Sequence, residues 1–102
     1  MHKMIVGAEF KVLVQVEPVD DVHMSQMDFS CSFYTDMASS YEVKKEQMIQ
    51  LDDDSYIALV DSTGMNPGNL RNRITVDIPD FDFADGYRRE IVDVETGVKL
   101  MR

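Results

Sequence analysis

One cysteine, no tryptophan and two histidines leave this chain of 102 residues without most of the chemistry that small proteins use. With Cys31 alone there is no intrachain disulfide, and a zinc site built on paired cysteines is excluded. Cys31 lies between Phe29 and Phe33 in "DFSCSFY" and reads as a small core residue, not as a catalytic thiol. His2 and His23 are too few for a triad or a multi-histidine metal centre, and His23 reads as a surface residue in a Met-rich loop. The glycines at Gly64, Gly68, Gly86 and Gly97 stand singly, with neither a GxGxxG nor a P-loop spacing, which argues against a nucleotide cofactor. Without tryptophan a sugar platform is also poorly served; Tyr34, Tyr41, Tyr56 and Tyr87 read as half-buried strand residues.

Positive charge is scarce as well. Ten basic residues stand against 19 acidic ones, a formal charge of −9. That field repels phosphate backbones and anionic membranes, so neither nucleic acid nor a membrane is an expected partner. Long apolar runs are missing: "MHKMIVGAEF" has neither the apolar core nor the cleavage site of a secretory signal, and no stretch approaches the roughly 20 apolar residues of a membrane helix. The expectation is a soluble protein that begins in the cytoplasm.

What the chain does have is a period of two. "FKVLVQVEP" puts Phe10, Val12, Val14 and Val16 on one face and Lys11, Leu13 and Gln15 on the other, and Pro18 stops it. "DFSCSFYT" alternates Phe29, Cys31 and Phe33 with small polar residues. "SYIALV" is apolar enough for a central strand, and "LRNRITVDIP" alternates Ile74, Val76 and Ile78 with Arg71, Arg73 and Asp77. "KKEQ" fits one helical turn as well as a strand. Asp52, Asp53 and Asp54 read as a solvated hairpin turn. "YRREIVDVETGVKL" gives a last strand or hairpin, bent at Thr96-Gly97. About seven short strands separated by turn chemistry predict one domain over residues 1–102, an antiparallel sandwich or barrel. Hydrophobic residues at 44% suffice for one core.

The segment "IPDFDFADGYRREI" raises a metal question. An EF-hand loop needs oxygen ligands at its first, third and fifth positions, glycine at the sixth and glutamate at the twelfth. Counting from Asp80, those last three are Ala84, Asp85 and Ile91, so the register fails. Pro79, Asp80, Asp82, Asp85 and Gly86 are therefore read as a structural turn without metal, with Phe81 and Phe83 folding back as plugs over the end of the sandwich.

The same residues resemble small phage- and prophage-encoded β-sandwich proteins. In "STGMNPGNLRNRITVDIPDFDFADGYRREIVDVETGVKL" the likeness runs through Asp61, Ser62, Gly68, Leu70, Ile78, Pro79, Asp80, Asp82, Phe83, Asp85, Gly86, Arg88, Glu90, Thr96 and Gly97. Ala84 and the "MNPG" loop depart from the pattern. The resemblance implies an immunoglobulin-like sandwich of virions or prophage particles, similar to the N-terminal module of upper baseplate proteins or to capsid-decorating and fibre-anchoring domains. It implies no catalytic residue and no cofactor, and it places the chain in the virion, or in the bacterial cytoplasm before assembly.

Three functions compete at this point: a non-enzymatic virion module acting through protein contacts, a free-standing carbohydrate- or cation-binding sandwich, and a small hydrolase using Asp or Glu. The first predicts other virion subunits or a second copy of the chain as partners, with a homo-oligomer expected. Leu13, on the outer face of its strand, and Met24 and Met27 in the neighbouring loop are the candidate contacts.

Overall fold

The computed structural model describes residues 2–18 and 20–102; Met1 and Val19 fall outside them. Eight strands are present: β1 (His2–Ile5), β2 (Glu9–Gln15), β3 (Asp28–Tyr34), β4 (Ser40–Lys44), β5 (Ile49–Asp52), β6 (Ser55–Asp61), β7 (Gly68–Pro79) and β8 (Tyr87–Met101). Two short 3-10 turns, Met24–Gln26 and Lys45–Gln47, are the only helical pieces among the described residues. The strands form a sandwich of two sheets, five-stranded in the order β1-β8-β7-β3-β4 and three-stranded in the order β2-β6-β5. All pairings are antiparallel except one: β1 runs parallel to the end of β8, with His2 opposite Val98 and Ile5 opposite Met101.

The two-residue period decides which side chains meet between the sheets. Val12 and Val14 of β2, Tyr56, Ala58 and Val60 of β6, Phe29, Cys31 and Phe33 of β3, and Leu70, Ile74, Val76 and Ile78 of β7 are all buried. Phe29 meets Tyr56 edge to face at 4.9 Å between ring centres, which joins the two sheets at one point. As the pattern predicts, β6 is the central strand of its sheet, and the aspartate run makes the β5–β6 turn, where the Asp54 amide donates to Asp52 Oδ1 at 2.8 Å. The "KKEQ" stretch takes the helical-turn alternative. Ser62 fastens the first crossing between sheets: its hydroxyl accepts from the Gly7 amide at 2.9 Å and donates to the Ala8 carbonyl at 2.7 Å.

The two ends of the chain complete the larger sheet. No strand is predicted before Phe10, yet His2–Ile5 forms β1, because its backbone finds the free edge at the end of β8. The last segment takes the strand alternative, one long strand with a bulge at the expected Thr96-Gly97, where Asn69 and Arg71 of β7 face Lys99 and Glu95 of β8.

Candidate protein-contact surfaces

The segment 79–86 is the tip of the β7–β8 hairpin, and the carboxylates of Asp80 and Asp85 accept from nearby backbone amides. Asp80 Oδ1 accepts from the Asp82 amide at 3.0 Å, Asp85 Oδ1 accepts from the Tyr87 amide at 3.1 Å, and Asp80 Oδ2 takes Arg88 Nη1 at 2.9 Å. Pro79 closes β7 opposite Tyr87, and Gly86 sits at φ 83°, a left-handed conformation. Among the described residues no group of three His, Cys, Asp or Glu side chains is arranged to hold a metal ion. The phenylalanine plugs are a correction: Phe81 is fully exposed and Phe83 half-exposed, because the long hairpin carries the tip past the sandwich end.

The three contact candidates separate. Met24 and Met27 are buried in the core, so neither is available on the surface. Their loop folds over the sandwich because the β5–β6 turn holds it. Asp54 Oδ1 accepts from the Met24 amide at 3.0 Å, the Ser25 amide donates to the Asp53 carbonyl at 2.8 Å, and Lys45 Nζ donates to the Ser25 and Met27 carbonyls at 2.8 and 2.6 Å. The sequence gives little warning of this, since aspartates and a lysine do the holding. His23 Nδ1 joins the same carboxylate at 3.0 Å, and this hydrogen bond, with the nearby negative charge, raises its pKa. Asp54 is lowered, first by the Met24 amide and then by His23. Cys31 is buried, and that burial pushes its thiol up to about 11, far from an activated nucleophile.

Leu13 does stand outside, 52% exposed, and it is not isolated. The register places it opposite Ile57 of β6, and Ile57 opposite Ile49 of β5. Side chains in register on one side of a sheet are neighbours, so Leu13, Ile57 and Ile49 form an apolar row across the whole outer face of the three-stranded sheet. Leu59, two residues from Ile57, and Leu51 in β5 are exposed beside it. Glu9, Lys11 and Gln15 share the outward side of β2 with Leu13, so the row is an apolar stripe across an otherwise polar face.

The opposite face of the molecule differs in kind. On the outer side of the five-stranded sheet, Arg71 Nε meets Asp93 at 2.8 Å, Arg73 reaches the same carboxylate at 3.3 Å, and the Tyr34 hydroxyl donates to it. Arg89 pairs with Asp77 at 2.9 Å. These are paired, exposed charges suited to water.

A third surface is a groove of about 700 Å³ between β2 and β8. The smaller sheet ends at β2, while the larger continues beyond β7 to β8, so part of β8 has no strand across from it. Val92 and Val94 are partners of Ile74 and Asn72 in the β7–β8 ladder and share their inward face, yet both valines are exposed. The signal in the sequence is "EIVDV", where Ile91 and Val92 make both faces apolar; alternation alone does not say which face lacks cover.

No family model matches the chain, and comparison with curated proteins and with solved structures finds no match. Among the described residues no helix is long and apolar enough to cross a membrane.

Proposed function

We propose that the chain is a non-enzymatic β-sandwich module of a phage or prophage particle that works through protein–protein contacts, self-association included. The observation that carries the contact role is the Leu13–Ile57–Ile49 row, an apolar stripe running from edge to edge of an outward sheet face. Covering such a stripe with a like surface removes it from water without desolvating charge. The particle context rests on the likeness of the "IPDFDFADG" hairpin and its flanks to phage-encoded sandwiches.

The strand order supports an immunoglobulin-like reading of the fold. In that topology one sheet holds strands B, E and D and the other holds G, F and C, with a further strand beyond C in variable-type domains. The order β2-β6-β5 fits the first set and β8-β7-β3-β4 the second.

Light scattering on the purified chain tests self-association, with a mass above that of one chain expected at micromolar concentration and a single-chain mass refuting it. The neighbourhood of the coding sequence tests the particle context: portal, capsid or tail genes on either side are expected, and a metabolic operon contradicts it.

A further inference from the structure

We propose that the groove between β2 and β8 is an acceptor for one extended strand of another polypeptide, with alternating apolar side chains, a hydrogen-bond donor at one position and basic residues at its rim. This deepens the protein-contact reading and rests on it, but concerns a surface other than the Leu13 row. In the immunoglobulin-like arrangement a strand stands beside B in the smaller sheet. Here the corresponding place beside β2 is vacant among the described residues, since β1 pairs with β8 in the other sheet.

Several features of that place specify its occupant. The backbone edge of β2 that faces away from β6 is unpaired, and so is the edge of β8 from Tyr87 to Glu95, because β1 covers only Val98–Met101. A strand laid against β2 gains main-chain hydrogen bonds there. Between the two edges lie Val12 and Val14, Ile74 and Val76, and the inward valines Val92 and Val94, spaced for alternate side chains of a strand. Asn72 lines the same groove at 2% exposure; its amide nitrogen reaches Cys31 Sγ at 3.5 Å, while its Oδ1 is buried without a partner. A buried acceptor left unmatched is costly, and an arriving hydroxyl or ammonium would satisfy it.

Charge narrows the choice further. Glu90, opposite Val76 and so on the inward face of β8, makes no ion pair among the described residues. Glu17 also lines the groove, as does Glu95, which Arg71 Nη1 pairs at 3.3 Å, and Lys11 is the one basic residue of the lining. The rim is acidic and complements lysine or arginine. A second intact copy is a poor occupant: its own β8 overhangs its own β2, so two sandwiches approaching through their β2 edges bring both β8 strands into the same space. A single strand from a terminus or linker fits where a sheet edge does not.

The test is a titration of the isotopically labelled chain with the synthetic peptide Val-Lys-Thr-Lys-Val-Lys-Val, whose valines and threonine share one face of an extended strand, followed by amide shifts and hydrogen exchange. Its controls are a scrambled peptide of the same composition and the glutamate analogue Val-Glu-Thr-Glu-Val-Glu-Val. The proposal expects saturable binding, with shifts and new protection confined to β2 and to residues 90–95. Val92→Asp separates the apolar floor from simple charge attraction. It adds a negative charge to an already half-exposed position, so a merely electrostatic complex tightens, whereas a strand seated on the valines is weakened by about tenfold or more. Overturning results are no saturation, shifts spread over the acidic surface, equal affinity for either control peptide, or unchanged or tighter binding by Val92→Asp. Ile49→Asp, on the far strand of the smaller sheet, keeps the two readings apart: it abolishes self-association through the Leu13 row and leaves peptide binding intact. A chain that is monomeric yet binds the peptide refutes self-association and keeps the groove.

Discussion

The Nδ1 atom of His23 lies 3.0 Å from a carboxylate oxygen of Asp54, 31 residues further along the chain, and the Met24 amide donates to the same carboxylate. The pair latches the loop that buries Met24 and Met27 onto the β5–β6 turn. Because the folded state raises His23, its contribution is fully present below the unfolded value of about 6.5 and is lost as pH rises through the folded value. Asp54 is lowered, so its contribution is present above about 3.9 and lost as pH falls through its folded value. The latch is strongest between those limits. The difference in Tm between the parent and His23→Gln is therefore expected to be largest near pH 5.5 and to shrink as pH rises through the raised folded value of His23. A difference that stays flat over that range contradicts the latch.

Gly86 turns the β7–β8 hairpin at φ 83°, and a Cβ built there meets nothing within 4 Å. The cost of Gly86→Val is thus one of backbone conformation, about 1–3 kcal/mol. Gly86→Asn, which tolerates the left-handed region, is expected to fall between valine and glycine. Thermal melting of the three proteins checks the order, and a valine variant that melts like the parent refutes this account of the turn.

Asp80 and Asp85 are engaged by amides and, at Asp80, by Arg88, which leaves the hairpin tip poorly placed to take a cation. Millimolar calcium is expected to shift Tm by less than about 2 °C. A rise of roughly 5 °C or more, on the order of 1 kcal/mol for a domain of this size, identifies a cation site in place of a plain turn.

Phe33 and Phe81 make a pair of opposites, one with no exposure and the other with no cover. Phe33→Ala is expected to cost about 3–5 kcal/mol and to remove most of the stability of a domain this small. Phe81→Ala is expected to stay within about 0.5 kcal/mol of the parent. Denaturant melts of both variants test the assignment, and equal losses contradict it.

The inner faces were legible from alternation alone. Phe10 to Val16, Phe29 to Phe33 and Ile74 to Ile78 all turn inward on the side that the period of two predicts. Local turn chemistry was equally readable at Asp52–Asp54 and at Asp85-Gly86, because Asx and glycine conformations are set within a few residues. Long-range pairing was not. The parallel contact of β1 with β8 joins residues at opposite ends of the chain, and no local pattern encodes it. The contact surfaces were half legible: Leu13 stood out as an apolar residue on an outward face, but its row with Ile57 and Ile49 needs the register. Burial of Met24 and Met27 depends on a lysine and two aspartates distant in sequence, and the uncovered Val92 and Val94 depend on the smaller sheet being three strands wide.

The outward Leu13–Ile57–Ile49 row carries the central claim, and the most direct measurement is multi-angle light scattering of the parent beside Leu13→Asp at micromolar concentration. A parent heavier than one chain, with Leu13→Asp at the single-chain mass and its cooperative melting retained, is the predicted result, since Leu13 is half-exposed and its loss leaves no core cavity. A parent that elutes at the mass of one chain, or a Leu13→Asp variant that stays associated, contradicts it.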